Sequence, residues 1–224
     1  MIYSMFDLAL FPLNTVLFPG MPLQLHIFEP RYRVMIQQCL DTQQPFGVVL
    51  IHQGLEAYGP LATPVQMGCT ARIINTIPLE GERMNLTAVG EERFRILKLN
   101  DKLPYLVGEV EAVPLERPSS IELVRGARHL APWVSEYLRL VNRIDPDNAP
   151  DLAGIDLPED PLVKLYLAAS ILHVPATEKQ PLLEVTYASE LLSHVVRLYR
   201  RETAVLRKQL GEEEGAAQKA AWLN

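Results

Sequence analysis

Histidines, clustered carboxylates and thiols are the side chains of this chain that could do chemistry, and their spacing assembles no recognisable site. His26, His52, His129, His173 and His194 lack metal-ligand spacing, and no His-Glu-x-x-His pair occurs. Three of them, His26, His52 and His173, lie within apolar segments, where a packed or hydrogen-bonded structural imidazole is the simpler reading. The acidic runs Glu91-Glu92 and Glu212 to Glu214 read as solvated charge, although carboxylates distant in sequence can still pair in a fold. Cys39 and Cys69 stand far apart and outside any Cys-x-x-Cys spacing, which points to small buried apolar residues and away from a zinc ribbon or a disulfide framework. A phosphate-binding loop needs a Gly-Lys pair so that backbone N–H groups and the Lys together hold the phosphates, and the chain contains none. A Gly-x-Ser-x-Gly nucleophile turn is absent as well. The expectation is a protein with no catalytic, cofactor-binding or metal-binding residues.

The elements that could position a binding surface fall into two halves. Up to about residue 115 the chain alternates short β-branched runs with Pro, Gly and Asn: Leu8 to Phe11, Thr15 to Phe18, Leu23 to Phe28, Phe46 to His52, Met67 to Leu79, Met84 to Val89, Arg93 to Leu99 and Tyr105 to Val113. In the fifth run Cys69, Ala71, Ile73 and Ile77 share one face, the period of two that a strand requires. Residues Leu79 to Arg83 then form a hairpin loop. Many short strands with tight turns predict a barrel or sandwich. One helix interrupts them, opened by Pro30 and carrying Tyr32, Met35, Ile36, Cys39 and Leu40 inward.

After Arg117-Pro118 the pattern becomes helical. Ser119-x-x-Glu122 reads as a capping box, and Pro132 is expected to kink or split the helix it opens. A loop from Asp145 to Asp160 follows, with six acidic residues and no basic ones. Asp160-Pro161 opens an apolar helix, Thr177-x-x-Gln180 reads as a second capping box, and a long helix runs from about Tyr187 to Leu210. The expected division is a β-rich part over 1–117, a helical part over 118–210 and a disordered tail over 211–224.

The balance of the 224 residues, with 48% hydrophobic, 21% charged and a net charge of -6, is that of an ordinary soluble globular chain. Each half carries -3, so neither is a basic arm, which argues against nucleic acid as a partner. The N-terminus has no basic stretch leading into an apolar run, and no segment reaches the roughly 18 apolar residues of a membrane span. A cytoplasmic protein is expected.

Leu10-Phe11-Pro12-Leu13-Asn14-Thr15-Val16-Leu17-Phe18-Pro19-Gly20-Met21-Pro22-Leu23, followed by Ile27-Phe28-Glu29-Pro30-Arg31-Tyr32, resembles the opening of the Lon protease N-terminal domain family. The likeness continues through Val65 to Ala71, through Leu86-Thr87-Ala88-Val89-Gly90-Glu91-Glu92-Arg93-Phe94-Arg95-Ile96, and through Ile171 to Pro175 and Lys179 to Glu184 into the final helix. The resemblance implies an α+β fold: a PUA-like β pseudobarrel with one interrupting helix, followed by a C-terminal helical bundle ending in a long helix. It also implies a non-catalytic module that recognises unfolded or extended polypeptides, in a free-standing form without ATPase or peptidase domains, alone or as an adaptor to a protease or chaperone in protein quality control. No single catalytic residue carries over.

Candidate contact residues come from the loop after the fourth run. Leu55, Tyr58 and Leu61, with Pro60, make it unusually apolar, so it either closes the end of the barrel or binds peptide. Glu29, Arg31 and Tyr32 are expected to anchor the start of the helix through ion pairs and packing. Other classes stay open: an assembly or scaffold module using the basic face of Arg197, Arg200, Arg201, Arg207 and Lys208, or a small enzyme or RNA-binding protein with an unrecognised site.

Overall fold

The computed structural model describes residues 5–57, 59–116, 120–145 and 160–222, and within these the side chains of all but 120–122 and 212–222. Strands β1 (Met5–Leu13) and β2 (Pro22–Ile27) are followed by helix α1 (Pro30–Thr42), and then by β3 (Phe46–Gln53), β4 (Thr63–Pro78), β5 (Met84–Asn100) and β6 (Leu106–Ala112). Helices α2 (Ser120–Ile144), α3 (Pro161–Ile171), α4 (Ala176–Glu184) and α5 (Ala188–Trp222) complete an α+β fold. The sheet order is β2-β5-β4-β3-β1-β6, and β5 pairs again with β6. That second pairing closes five strands into a ring and leaves β2 attached to β5 outside it. Among the described strands only β1 and β3 run parallel, and α1 lies in the crossover that a parallel pair requires.

Alternation along the strands fills the ring. Leu8 and Leu10 of β1, Val49 of β3, Phe94 and Ile96 of β5, and Leu106 and Val110 of β6 form its buried core. Phe94 lies opposite Gly68 in register. A Cβ on Gly68 would stand 2.6 Å from the Phe94 ring and 2.5 Å from the Val48 carbonyl, so the ring occupies the space a side chain there would need. Outside the ring, α1 buries Tyr32, Met35, Ile36 and Cys39, as the spacing predicts, and the Tyr32 ring stacks on Phe11 at 4.0 Å.

Two strand expectations are corrected. Thr15 to Phe18 is no strand: Leu17 and Phe18 are buried, but the segment crosses Gly90 in irregular backbone. Gly20 N–H donates to Gly90 O at 2.8 Å and Gly90 N–H to Met21 O at 2.9 Å. A Cβ on Gly90 would stand 2.4 Å from Phe18 O. The runs Met84 to Val89 and Arg93 to Leu99 are one strand, β5, whose edge partner changes from β2 to β6. Between them the register with β4 shifts from Ala71↔Gly90 to Cys69↔Arg93, a bulge that bends the strand. Buried Thr70 closes it: its hydroxyl accepts from Glu92 N–H at 3.0 Å and donates to Glu92 O at 3.3 Å.

The chain forms two compact units, and they do not follow chain order. One comprises Met1–Glu116 with His173–Thr186, and the other Arg117–Leu172 with Tyr187–Asn224. The expected boundary at 117/118 therefore misses that α4 belongs with the barrel. Thr177-x-x-Gln180 forms no capping box, because α4 starts after Pro175 with no side-chain cap. Gln180 Nε2 instead donates to Met67 O on β4 at 3.0 Å and to Glu184 at 2.9 Å. Arg93 holds the other end of α4. Its guanidinium donates to Leu183 O at 2.7 Å, Val185 O at 2.6 Å and Val113 O at 3.1 Å.

In the helical unit Asp160 caps α3 by accepting from Leu162 N–H at 2.7 Å, with Pro161 in the first turn. Helix α2 continues through Pro132 as one element rather than splitting. Tyr137 and Tyr199 meet edge to face at 5.3 Å, and the Tyr199 hydroxyl donates to Ala168 O at 2.8 Å. Helix α5 extends to Trp222 instead of ending at residue 210, and the added stretch contains four Ala and three Glu, both good helix formers. Ser119 and most of the acidic stretch, 146–159, lie outside the described residues. No described helix is long and apolar enough to cross a membrane.

Candidate functional site

The loop after β3 is held by polar contacts beside a cleft in the barrel unit. Glu56 accepts from Asn14 N–H at 2.9 Å, and Arg31 donates to Gly59 O at 3.1 Å while pairing with Glu29 at 3.0 Å. The Arg31 guanidinium also lies 4.7 Å from the centre of the Tyr32 ring. Glu29, Arg31 and Tyr32 thus anchor the start of α1, as expected, and they also tie the loop to it. The cleft encloses about 300 Å³. One wall is residues 24–28, on β2 and just past its end. Phe11, Leu13 and Tyr32, all buried, form its floor, and Glu29, Glu56 and Ala57 also line it. Burial pushes the pKa of the Tyr32 hydroxyl up, Arg31 opposes the rise, and Glu29 and Glu56 both reinforce it. Both carboxylates therefore act on the same corner. On the wall, His26 Nδ1 lies 2.8 Å from Asn85 Oδ1 of β5, which gives this imidazole the hydrogen-bonded structural role expected of it.

Of the three loop residues picked out by composition, the described residues include two. Leu55 is 63% exposed, Leu61 packs against the barrel core, and Tyr58 lies outside the described residues. Sequence reasoning missed Glu56 and Ala57, which line the cleft, because nothing in their types marks them. It also missed the open edge of β2. That strand pairs with β5 from Pro22↔Val89 to Ile27↔Met84 in unbroken register, and among the described residues no strand lies on its other side.

A second concavity of about 860 Å³ lies between α1 and the β4–β5 hairpin, bordered by Val34, Gln37, Pro78 and Leu79. It is bridged by Arg33, which pairs with Glu82 at 2.7 Å and donates to Gly81 O at 3.2 Å. Cys39 and Cys69 are both buried free thiols, and burial pushes Cys39 up to about 11 and Cys69 higher still, which removes them as nucleophiles at neutral pH.

Comparison with known proteins assigns the fold to a family. The ATP-dependent protease La (LON) substrate-binding domain matches residues 7–201. The chain belongs to this family. Lon protease 2 of Myxococcus xanthus is 28% identical over 202 residues, covering 89% of this chain and 24% of that protein. The Lon protease of Anaeromyxobacter dehalogenans is 27% identical, with the same two coverages. The chain thus spans about a quarter of the length of the curated relatives it matches. The crystal structure of a Lon N-terminal domain protein from Xanthomonas campestris superposes with a TM-score of 0.60 at 22% identity, over 86% of this chain and 98% of that one. The N-terminal domain of the Mycobacterium avium complex Lon protease gives 0.59 at 18% identity, over 87% and 98%. At these identities the two structures speak for the fold, and the family match speaks for the class of module.

Proposed function

We propose that the protein is a non-catalytic recognition module that engages unfolded or extended polypeptide through its barrel unit, in the cytoplasm, and presents it to a protease or chaperone. The observation that carries this reading is the cleft beside the open edge of β2, found in a member of the LON substrate-binding family. Its floor is apolar, and two carboxylates, Glu29 and Glu56, line it as well. A cleft built this way offers burial for side chains and a backbone edge for the chain that carries them. Leu55 belongs to the reading as a peripheral apolar contact on the loop, whereas Leu61 acts through the core.

The test is titration of a fluorescent, reduced and alkylated polypeptide, which stays unfolded, with the full chain. Anisotropy should rise with a midpoint of about a micromolar, because much of the burial gain is offset by ordering the peptide. Leu55→Ser should weaken binding without moving the unfolding midpoint, and Leu61→Ser should lower the midpoint. No anisotropy change at the highest soluble concentration would refute the reading. No loss of labelled polypeptide to cleavage is expected over the same incubation.

A further inference from the structure

We infer that an incoming polypeptide adds to the open edge of β2 as an extra strand, and that Glu29 and Glu56 favour a segment carrying Lys or Arg at the cleft. The inference rests on the polypeptide reading above and specifies how the segment is held.

The first argument is hydrogen-bond valence. In an antiparallel pair, alternate residues direct their N–H and C=O groups toward the partner and away from it, so about two or three residues of β2 present both groups on the side opposite β5. Natural edge strands are normally protected by a Lys, an internal Pro, a bulge or a cover. Strand β2 has Pro22 at its first position only, no charged residue from Leu23 to Ile27, and an unshifted register with β5. Its edge is open where others are blunted.

Geometry supplies the second argument. The cleft follows the same stretch of chain, residues 24–28. At about 3.3 Å per residue that stretch is roughly 16 Å long, and an added strand would lie about 4.8 Å from β2. An extended segment of about five residues fits that edge, whereas a helix would leave the outward N–H and C=O groups unmet. Alternate side chains of the segment would point to the floor, where Phe11, Leu13 and Tyr32 wait.

Charge decides what else the segment carries. Glu29 and Glu56 line the cleft, and no Lys or Arg does. The adjacent Arg31 is turned to Gly59 O and to Glu29, which leaves the corner net negative. A cationic side chain entering beside Tyr32 meets both carboxylates, and an acidic one meets like charge.

The experiment uses the full chain and labelled short peptides of alternating Val and Lys. Four probes are compared: the parent peptide, one with every odd amide N-methylated, one with every even amide N-methylated, and one with Glu replacing Lys. Strand addition predicts that one methylated series loses roughly tenfold or more in affinity while the other keeps it, since only one set of amides can face β2. The Glu peptide should bind roughly tenfold more weakly than the parent, and Glu56→Gln, which keeps an acceptor for Asn14 N–H, should narrow that difference. If both methylated series bind like the parent, strand addition is overturned while polypeptide recognition stands. If neither the peptides nor the unfolded polypeptide bind, both readings fall. Cross-links joining β2 to β2 of a second molecule, with no peptide binding, would give the edge to another copy of the chain and overturn the proposal.

Discussion

Replacing Arg93 by Met tests how the barrel unit holds a segment that returns to it from far along the chain. Arg93 is 3% exposed and donates to three main-chain carbonyls, two of them at the end of α4. There the last carbonyls of the helix carry partial negative charge and lack intrahelical donors. Methionine keeps the length and apolar stem but leaves Val113 O, Leu183 O and Val185 O without these donors. Each buried acceptor left unsatisfied costs about 1–3 kcal/mol, and removing the guanidinium returns part of that as relieved desolvation. A net loss of about 3 kcal/mol follows. For a chain of this size it corresponds to roughly 6–12 °C in Tm. Arg93→Lys should fall between, since one ammonium cannot match the planar fork that reaches three oxygens. Urea unfolding followed by circular dichroism gives the magnitude, and hydrogen exchange locates it: amides of α4 should lose protection before those of α5. A change below about 0.5 kcal/mol for Arg93→Met, the range of ordinary surface substitutions, would refute the reasoning.

Three further outcomes follow from the same structure. Gly68→Ala should destabilise the barrel by about 1–3 kcal/mol, because the new methyl meets the Val48 carbonyl as well as Phe94, whereas Gly211→Ala, with nothing within 4 Å, should stabilise α5 by about 0.5–1 kcal/mol; chemical denaturation of both variants checks the contrast. Cys39 and Cys69 should react with a thiol reagent at pH 8 only at the rate of unfolding, and stoichiometric labelling of the native protein within minutes would contradict their burial. Glu136 is held at about 2, below its ordinary 4.5, by hydrogen bonds from Arg139 and Arg207, so its contribution is fully present above pH 4.5 and is lost as pH falls through 2. Wild type should therefore exceed Glu136→Gln in stability at neutral pH and lose that advantage in acid, with Trp133 fluorescence as the readout; a constant difference across the titration would count against the assignment.

What was legible in the sequence was local. The face of α1 follows from apolar residues at helical spacing, and the start of α3 from an Asp-Pro pair whose cap bond spans two residues. Features that depend on distant partners were not legible. Gln180 occupies the third position of a plausible capping box, yet it donates to Met67, 113 residues away, because α4 begins elsewhere. Thr15 to Phe18 has the β-branched and aromatic content of a strand, but its place is set by the close approach to Gly90, which one sequence does not reveal. The apolar loop was noticed for Leu55, Tyr58 and Leu61, while the residues that line the cleft are its acid and its alanine. Hydrophobicity marked the loop; the contacts from Asn14 and Arg31 decide which side of it faces the cleft.

On the basic face of α5 the structure gives several of the cations partners within the chain. In sequence Arg197, Arg200, Arg201, Arg207 and Lys208, with Glu202 among them, read as a basic face open to assembly or simply solvated. In the structure Arg201 pairs with Glu202 at 2.7 Å, Arg207 pairs with Glu136 at 3.0 Å, and Arg200 lies 5.2 Å from the centre of the Trp133 ring. Those cations are engaged within the helical unit. The β2 edge is the opposite case. Its residues after Pro22, Leu, Gln, Leu, His and Ile, include no Lys, Arg, Asp or Glu and draw no attention in a sequence, but among the described residues their outward N–H and C=O groups have no strand to meet. Under the proposed strand addition, unmet hydrogen-bond valence beside an apolar floor would bind extended chain whatever its sequence, and the two carboxylates in the cleft would grade the sequences it accepts. Broad backbone affinity with a mild side-chain preference is the combination that the proposed role, engaging many unfolded polypeptides, would require.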